Sequence, residues 1–491
     1  MNARPRFGLA LLACATIALL VSPAATVSAA LQATIVLSKT SGPPGSKTTV
    51  QGSGYQANEL VDVFEDTSLI TTTPADGSGA FSVTIKIQTF FGPGDIQIKG
   101  VGESSGLSAE ATFTIRTNWP QFHFDAAHTG SNPFENLIYP NNVSLLVARW
   151  TGLTSNNESD SSPVQVDGTV YVGWGDGLYA FDEAGCDPAT TCSPLWVAPS
   201  SPINTSPAVS AGTVFVGSDD RMLHAFDAAT GVSLWVGATR DVVRSSPTIA
   251  GRVVYVGSND KRLYAFRATG CGAPSCRPLW TGPTRGKILG SPAVAGGTVF
   301  VDSVDGTLSA FAAAGCGSRR CTPLWTGTAG NLLTSGPAVS GGVAYVGSQD
   351  GKLYAFAAAG CGQAACLPLW TGDTGGSIAV SPAVGEGSVF VGADVGLFVF
   401  PAAGCGQSTC SALWTASFPE PVLAAPALSN GVVYVYAQDL DALKASGCGA
   451  PTCSPLATFP VFPGTSPIVT DGLVLINSVG LKVFGFPGLG G

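Results

Sequence analysis

The stretch SPAVAGGTVFVDSVDGTLSAFAAAGCGSRRCTPLWTG, residues 291–327, contains the pattern that decides the fold. Ser291–Val294 predicts a short strand, and the alternating run Thr298–Val301 predicts a second one. After a turn at residues 304–306, Leu308–Phe311 predicts a third strand, and a cysteine-bearing loop leads to a fourth at Pro323–Trp325. The unit is therefore a meander of four short β-strands.

This unit recurs along the chain at an almost constant spacing. The anchoring prolines are Pro163, Pro207, Pro247, Pro292, Pro337, Pro382, Pro426 and Pro467, which lie 40 to 45 residues apart. Four strands per 40 to 45 residues, repeated in tandem, are typical of propeller blades. The sequence predicts an all-β protein with an eight-bladed β-propeller of four-stranded blades.

The ring needs a strand from outside the eighth repeat. That repeat supplies strands at residues 467–469, 473–477 and 481–486, and the chain then ends at Gly491, one strand short. A spare fourth-strand pattern, Ala148–Gly152, precedes the first repeat and matches the Leu-Trp-Thr-Gly of later blades. We therefore predict that an N-terminal strand around Trp150 completes the last blade and closes the ring.

A tryptophan occupies the same position in most fourth strands. These residues are Trp150, Trp196, Trp235, Trp280, Trp325, Trp370 and Trp414. A large ring at a fixed place in each blade is expected to pack between neighbouring blades. Trp174 lies off this pattern and is the better candidate for stacking on a ligand.

The second repeat carries a family motif. Residues 225–235, AFDAATGVSLW, have the pattern A-x-D-x-x-x-G-x-x-x-W. This resembles the tryptophan-docking motif of the pyrroloquinoline quinone (PQQ) repeat family, which includes eight-bladed quinoprotein dehydrogenases and non-enzymatic outer-membrane assembly propellers. The resemblance covers residues 117–491, and the lead-in Trp119–Phe122, followed by Asp125 and His128, is also similar to the start of such propellers.

Twelve of the thirteen cysteines form six close pairs in the repeats. The pairs are Cys186/Cys192, Cys271/Cys276, Cys316/Cys321, Cys361/Cys366, Cys405/Cys410 and Cys448/Cys453. An even number of close pairs on an exported chain favours disulfides. Zinc is the rival interpretation, but it needs four clustered ligands, whereas these pairs lie about 45 residues apart. We expect each disulfide to staple the loop between the third and outermost strands of its own blade.

The N-terminus has the layout of an export signal. Arg4 and Arg6 precede an apolar run and small residues that end at Ala29, so we assign residues 1–29 to a signal peptide. Cys14 leaves open a lipoprotein anchor instead of free secretion. Residues 30–116 lack cysteines and resemble the small Ig-like β-sandwich of bacterial surface proteins. Residues 117–491 are then the propeller of an extracellular, cell-surface or periplasmic protein.

Composition excludes several partners. The net charge is −9 and no basic stripe occurs, so nucleic acid is not expected. No segment of the mature chain is long and apolar enough to predict a transmembrane span.

Catalytic signals are weak. The family's quinoprotein enzymes carry a vicinal cysteine pair above the cofactor, and this sequence has none. We predict no catalytic residues, no metal site and no cofactor; PQQ and Ca²⁺ belong to the alternative, a quinoprotein dehydrogenase with degenerate motifs. His123, Asp125 and His128 are alternative metal ligands that packing and a turn explain as well.

The loops between each outermost strand and the next innermost strand vary most between repeats. Their polar residues form the candidate binding face: Asn204, Arg240, Arg244, Arg285, Lys287, Asn331 and Glu420. Its four basic residues belong to adjacent blades and favour an acidic partner. The sequence thus predicts an exported, non-catalytic scaffold that binds a protein or polysaccharide of unknown identity, although ordinary solvated loops explain the same residues.

Overall fold

A computed structural model describes residues 32–155, 160–186, 190–461 and 463–487. The predicted signal peptide and Cys14 lie outside the described residues. The chain divides into two compact units. Among the described residues, one unit contains 32–38, 49–85 and 97–111, and the other contains 39–48, 86–96 and those from 112 onwards. The boundary between residues 116 and 117 stays a prediction.

The N-terminal strands form two small sheets. A three-stranded sheet contains Thr34–Leu37, Lys47–Ser53 and Phe81–Lys86. A five-stranded sheet contains Ser41–Gly42, Ser108–Ile115, Gly94–Gly102, Leu60–Glu65 and Ser68–Pro74 in that spatial order. Alternate residues such as Val61 and Val63 are fully buried, as the period of a half-buried strand requires.

In the described residues beyond these two sheets, eight further sheets follow one another as a β-propeller; we call them blades 1 to 8. Their innermost strands are Val164–Val166, Ala208–Ser210, Thr248–Ala250, Ala293–Ala295, Ala338–Ser340, Ala383–Gly385, Ala427–Ser429 and Ile468–Thr470. The second strands are Thr169–Trp174, Thr213–Gly217, Val253–Ser258, Thr298–Ser303, Val343–Gly347, Ser388–Ala393, Val432–Tyr436 and Leu473–Ser478.

The third strands are Gly177–Asp182, Met222–Asp227, Arg262–Arg267, Thr307–Ala312, Lys352–Ala357, Gly396–Pro401, Leu440–Lys444 and Gly480–Gly485. The outermost strands are Trp196–Pro199, Ser233–Ala238, Trp280–Pro283, Trp325–Thr328, Trp370–Asp373, Trp414–Ala416, Ala457–Phe459 and, in blade 8, Val147–Gly152. All neighbouring strands within a blade are antiparallel. The other elements of the described propeller residues are a short strand at Ser131–Asn132, a 3₁₀ turn at Val143–Leu145 and four two-residue strands in the disulfide loops.

The predicted closing strand is confirmed. Val147–Gly152 pairs antiparallel with the third strand of blade 8, with Trp150 opposite Val483 and Gly152 opposite Leu481. The last blade is therefore built from both ends of the propeller sequence.

Side chains that alternate along a strand face two different neighbours. In blade 4, Val299 and Val301 share an apolar cluster with Tyr255 of blade 3. Phe300 between them belongs to a second cluster with Val346 of blade 5. Because both faces of a blade are buried, its central strands are continuous apolar runs rather than alternating apolar and polar residues.

The recurrent tryptophans lie between blades. Trp325 of blade 4 contacts Gly360 of blade 5, which has a φ of +78° and whose added Cβ would lie 2.5 Å from the indole Cδ1. Six equivalent pairs repeat this contact: Trp150/Gly185, Trp196/Gly231, Trp235/Gly270, Trp280/Gly315, Trp370/Gly404 and Trp414/Gly447. Trp196 is half-buried, and the other six are buried.

Six disulfides join the predicted cysteine partners. They are Cys186–Cys192, Cys271–Cys276, Cys316–Cys321, Cys361–Cys366, Cys405–Cys410 and Cys448–Cys453. In every pair the second cysteine is buried, whereas the first is exposed or half-buried. Each bond therefore connects a surface loop to the apolar interior.

The disulfide loops also form a contact that the sequence did not suggest. In four pairs the second cysteine ends a two-residue strand that adds in parallel to the outermost strand of the preceding blade. These strands are Thr191–Cys192, Ser275–Cys276, Ala365–Cys366 and Thr409–Cys410. The loop therefore covers an otherwise exposed sheet edge.

Cys321 of blade 4 and Cys453 of blade 7 cover the preceding edge without such a strand. Cys321 donates its N–H to the Thr281 carbonyl oxygen and Cys453 to that of Thr415, both at 2.8 Å. Cys321 is 2% exposed and Cys453 is 7% exposed, and they lie in the apolar clusters between blades 3 and 4 and between blades 6 and 7. Both disulfides close the loop between the third and outermost strands of their own blade, as expected, and Cys321 and Cys453 also pack against the preceding blade.

Candidate functional site

Residues 117–132 lie across the inner edges of all eight blades; we call this segment the plug. Its carbonyl groups accept one N–H from most innermost strands, including Val209 to Pro120, Val339 to Ala127 and Leu428 to Gly130, at 2.7–2.8 Å. In two blades a side chain of the plug makes the contact instead. The Gln121 side-chain oxygen accepts the Ile249 N–H of blade 3, and the Asn132 amide donates to the Val469 carbonyl oxygen of blade 8. The plug thus satisfies the free edges that face the central channel.

Two buried histidines stabilise the plug. His123 Nδ1 lies 3.2 Å from the carbonyl oxygen of His128, and His128 Nε2 lies 2.9 Å from the Thr248 hydroxyl. Burial lowers the pKa of His123 to about 4 and holds the pKa of His128 well below its usual range. Asp125 accepts the Thr129 N–H, as a turn residue does. No three potential metal-ligating side chains converge anywhere in the described residues.

Serine hydroxyls beside the anchoring prolines form a series of hydrogen bonds from blade to blade around the channel; we call this series the ladder. In blades 1, 2, 3, 7 and 8 the residue before the anchoring proline donates its N–H to the serine Oγ of the next blade. These bonds are Ser162 to Ser206, Ser206 to Ser246, Ser246 to Ser291, Ala425 to Ser466 and Ser466 to Ser162, at 2.9–3.2 Å. These serines line a cavity of about 400 Å³ that Phe122 of the plug also lines. The last bond joins blade 8 to blade 1.

The ladder is interrupted from blade 4 to blade 7, because Gly336 and Ala425 stand where other repeats have serine. Gly336 has no hydroxyl, and its N–H donates instead to Asp302 Oδ2 at 3.2 Å. Asp302 is fully buried, and burial raises its pKa to about 6. The Ser381 hydroxyl, which would follow in the ladder, has no hydrogen-bond partner among the described residues.

The structure separates the predicted binding face into two groups. Asn204 and Arg244 line the channel cavity. Arg244 donates twice to the Asp219 carboxylate at 3.1 Å, and Asn204 donates to the same group, so the local charge of Arg244 is offset. The other predicted residues are exposed on the loops and do not line this cavity: Arg240, Arg285, Lys287, Asn331 and Glu420. Their binding role stays a prediction.

Trp174, the predicted stacking residue, is buried and only 2% exposed. It therefore presents no open ring face to a flat ligand. It lines a separate cavity beside the channel, between blades 8 and 1.

Sequence reasoning missed the serine ladder and the span of the plug. The ladder has a visible signal, because Ser-Pro recurs at the start of the repeats. The plug has none, since its contacts join residues that are distant in the sequence, such as Gln121 and Ile249, which are 128 positions apart.

Two comparisons define the class of protein. A family model described as outer membrane protein assembly factor BamB, a PQQ-repeat family, matches residues 149–271 and 269–361. Residues 149–361 therefore match PQQ-type repeats.

Solved structures share this fold at low sequence identity. BamB from Moraxella catarrhalis is 17% identical with a TM-score of 0.52, covering 70% of this chain and 98% of its own. Quinohemoprotein alcohol dehydrogenase from Comamonas testosteroni is 14% identical with a TM-score of 0.57, covering 76% and 82%. The computationally designed Ika8 protein is 16% identical with a TM-score of 0.56, covering 69% and 99%. No curated protein sequence matches the chain.

No helix in the described part of the chain is long and apolar enough to cross a membrane.

Proposed function

We propose that this protein is an exported, non-catalytic propeller scaffold whose loop face binds a partner with acidic groups. The observation that supports it best is the chemistry of the channel. Serine hydroxyls and small side chains line much of it together with Phe122 and Arg244, the plug spans its inner edges, and no cluster of ligating side chains converges in the described residues. The fold shared with BamB, an assembly factor by its printed name, supports a binding role.

Export is part of the same proposal. Six disulfides are typical of proteins that fold in an oxidising compartment. The signal peptide at residues 1–29 and an Ig-like class for residues 30–116 complete the proposed organisation of a cell-envelope or extracellular protein.

Three exposed basic residues, Arg240, Arg285 and Lys287, are the proposed contact for acidic groups. Reversing all three charges to glutamate is expected to abolish cross-linking to partners in the cells that make the protein, because exposed complementary charges steer association. The matched control reverses Arg319 and Arg320, which are exposed on a disulfide loop. Equal adducts from the parent and the triple variant would contradict the proposed contact.

The alternative is a quinoprotein dehydrogenase, which the fold shared with an alcohol dehydrogenase favours. The described residues of the channel do not fit a Ca²⁺-held quinone, because Asp160 is the one carboxylate among those that line it and no three ligating side chains converge. Nearby, Asp219 is engaged by Arg244, and Asp302 is fully buried. The test adds PQQ and Ca²⁺ to the pure protein and follows dye reduction with alcohols and sugars. We expect no turnover, and turnover at an enzymatic rate would overturn the scaffold proposal.

A further inference from the structure

A surface cavity of about 500 Å³ lies beside the disulfide loop of blade 3, and two arginines line it. Arg267 ends the third strand, and Arg277 follows the second cysteine of the loop. The loop residues Thr269–Gly272 and the side chain of Leu279 form much of the remaining wall. Both arginines are exposed, and none of the residues that line the cavity is acidic. The cavity therefore presents two positive charges on a chain whose net charge is −9.

These two charges are not neutralised within the protein. The sequence has no aspartate or glutamate between Asp260 and Asp302, which leaves the whole loop without an acidic residue. Neither Arg267 nor Arg277 forms an ion pair in the described part of the chain. The cations that do are Arg116, His224, Arg244 and Arg262. The two guanidinium groups are thus available to an anion from outside.

The disulfide loops of blades 4 to 7 repeat the backbone of this cavity without its pair of charges. The glycine after the first cysteine has a positive φ in each loop, and an added Cβ there would meet nothing within 4 Å. These residues are Gly272, Gly317, Gly362, Gly406 and Gly449. At the positions of Arg267 and Arg277, the later blades have Ala312/Thr322, Ala357/Leu367, Pro401/Ser411 and Lys444/Ser454. The loop backbone is therefore open in all five blades, and blade 3 adds two arginines to it.

The cavity lies at the opposite end of blade 3 from the candidate binding face. The third strand pairs antiparallel with the outermost strand, with Arg262 opposite Pro283 and Ala265 opposite Trp280. Arg285 and Lys287 follow Pro283, so they lie at the Arg262 end of the strand pair, whereas the cavity lies beyond the Trp280 end. The two arginines of the cavity are therefore separate from the loops of the candidate binding face.

We infer that this cavity binds a phosphate group. A guanidinium donates two parallel hydrogen bonds to a phosphate, which still has oxygens left for a second guanidinium. A carboxylate has only two oxygens and cannot satisfy both forks in this way. Backbone N–H groups of a turn with positive-φ residues add to anion binding, and the open loop at Gly272 brings them within reach. This site is additional to the proposed scaffold function.

Inorganic phosphate and acetate are the probes, because they differ in the number of oxygens that they offer to the two arginines. Isothermal titration calorimetry on the full-length mature protein, at one ionic strength, is expected to detect phosphate binding and about tenfold weaker binding of acetate. Equal affinity for the two anions would show charge attraction without a site. That result, or no binding of phosphate, would overturn the inference.

Replacing Arg267 and Arg277 by glutamine is expected to weaken phosphate binding at least about tenfold, since each charge-assisted hydrogen bond is lost. Both side chains are exposed, so the Tm should stay close to that of the parent. The matched control is Arg319→Gln with Arg320→Gln, which removes the same charge from the next disulfide loop and should keep the affinity. An equal loss in the control would contradict the assignment to this cavity.

The repeat also allows the site to be moved. Ala357→Arg with Leu367→Arg places two arginines at the equivalent positions of blade 5, where Leu367 is 87% exposed. In a chain that lacks Arg267 and Arg277, these two changes are expected to restore phosphate binding to within about threefold of the parent, because the loop backbone is the same. Failure to restore binding would contradict the assignment of the site to the loop and its two arginines.

Vesicles identify the source of the phosphate group. The protein is sedimented with vesicles of phosphatidic acid mixed with phosphatidylcholine, and with vesicles of phosphatidylcholine alone. Sedimentation with the first vesicles that requires Arg267 and Arg277 indicates a lipid headgroup, whereas calorimetric binding without sedimentation indicates a soluble phosphate. The absence of both would overturn the inference. The cross-linking test of Arg240, Arg285 and Lys287 keeps its own outcome in every case, so failure of this site and failure of the proposed function are distinguishable.

Discussion

At the scale of single residues, the tryptophan and glycine pairs connect one blade to the next. Trp325 is 4% exposed and lies in one apolar cluster with Phe300 of its own blade and Phe356 of blade 5. Its ring centroid is 6.0 Å from that of Phe300 and 6.3 Å from that of Phe356. Each tryptophan therefore contacts two blades, and its loss leaves a cavity at the interface between them rather than within one sheet.

Trp325→Ala is expected to lower the free energy of unfolding by about 3–5 kcal/mol, because the substitution leaves a cavity between blades. Urea denaturation followed by circular dichroism measures this loss. Leu324→Ala is the control, since Leu324 is adjacent and 56% exposed, and it should cost about 0.5 kcal/mol or less. Similar losses in both variants would contradict the assigned packing.

A buried carboxyl group near the ring closure makes stability depend on pH. Glu183 accepts hydrogen bonds from Gln165 at 2.9 Å and from Arg116 at 3.3 Å. Burial, and then the negative charge of Asp471, raises the pKa of Glu183 to about 8. The folded chain therefore holds this proton more tightly than the unfolded chain, whose glutamate has a pKa of about 4.3.

Glu183 stabilises the fold fully below about pH 4, and this contribution is lost as the pH rises to about 8. Glu183→Gln removes this titrating carboxyl group. The Tm of the variant minus the Tm of the parent should therefore increase as the pH rises from 5 to 8. Glu420→Gln changes a residue on an exposed loop, so its Tm should depend on pH in the same way as that of the parent. Thermal unfolding at several pH values measures the difference, and two parallel curves for Glu183→Gln would refute the effect.

The sequence predicted where the tryptophans pack, but it did not predict which side chains of the candidate binding face are already paired. The fixed period of the tryptophans was sufficient to predict their place between blades, because a constant position in a repeat has a constant environment. Arg244 looked like a free cation in the sequence, but Asp219 holds it, and residues 25 positions apart carry no shared pattern. Trp174 was recognised as unusual, while its burial depended on blade 8, more than 300 residues away in the sequence.

At the scale of elements, the disulfide loops do more than close a turn. In the loop of blade 5, Cys366 ends a short strand, and Thr326 of blade 4 donates its N–H to Ala364 at 2.9 Å. The same bond recurs one blade on, from Thr371 to Ser408. Each disulfide therefore orders a loop that covers the edge of its neighbour.

Replacing Cys361 and Cys366 by serine is expected to cost about 2 kcal/mol, since the bond closes a ring of about six residues. The amide of Thr326 should then exchange with deuterium faster, because its acceptor loop loses order. The amide of Thr371 is the internal control, as its own loop keeps the Cys405–Cys410 bond. Hydrogen exchange with mass spectrometry reads both sites, and unchanged exchange at Thr326 would contradict the edge-covering role.

Strand positions were predictable because apolar residues and turns recur with the repeat. The fourth strand of blade 4 begins at Trp325 rather than at Pro323, since proline cannot donate to a ladder. The added strands of the disulfide loops were not predictable, because they contain two residues and pair with a different repeat. The same reason hid the burial of Cys321 and Cys453, whose packing partners include the blade before their own. Pairing between repeats leaves no pattern within one repeat.

At the scale of the whole propeller, closure depends on contacts between its two sequence ends. The strand Val147–Gly152 pairs with Gly480–Gly485, and Trp150 donates to the Glu183 carbonyl oxygen of blade 1. A second connection runs from the plug to blade 8, where the Thr117 N–H donates a hydrogen bond to the Asp471 carboxylate at 2.6 Å. Blades 8 and 1 are thus joined by a segment that belongs to neither repeat.

A chain that begins at residue 153 lacks both the plug and the closing strand. Its blade 8 would expose the edge of Gly480–Gly485, and exposed edges of apolar strands promote aggregation. We expect this chain to aggregate on refolding, and a peptide of residues 117–152 added in trans to restore a monomer in size-exclusion chromatography. The same peptide with Trp150→Ala should restore much less, because the ring that packs against Gly185 is absent. A truncated chain that is monomeric without the peptide, with the Tm of the parent, would show that the ring closes without its N-terminal strand.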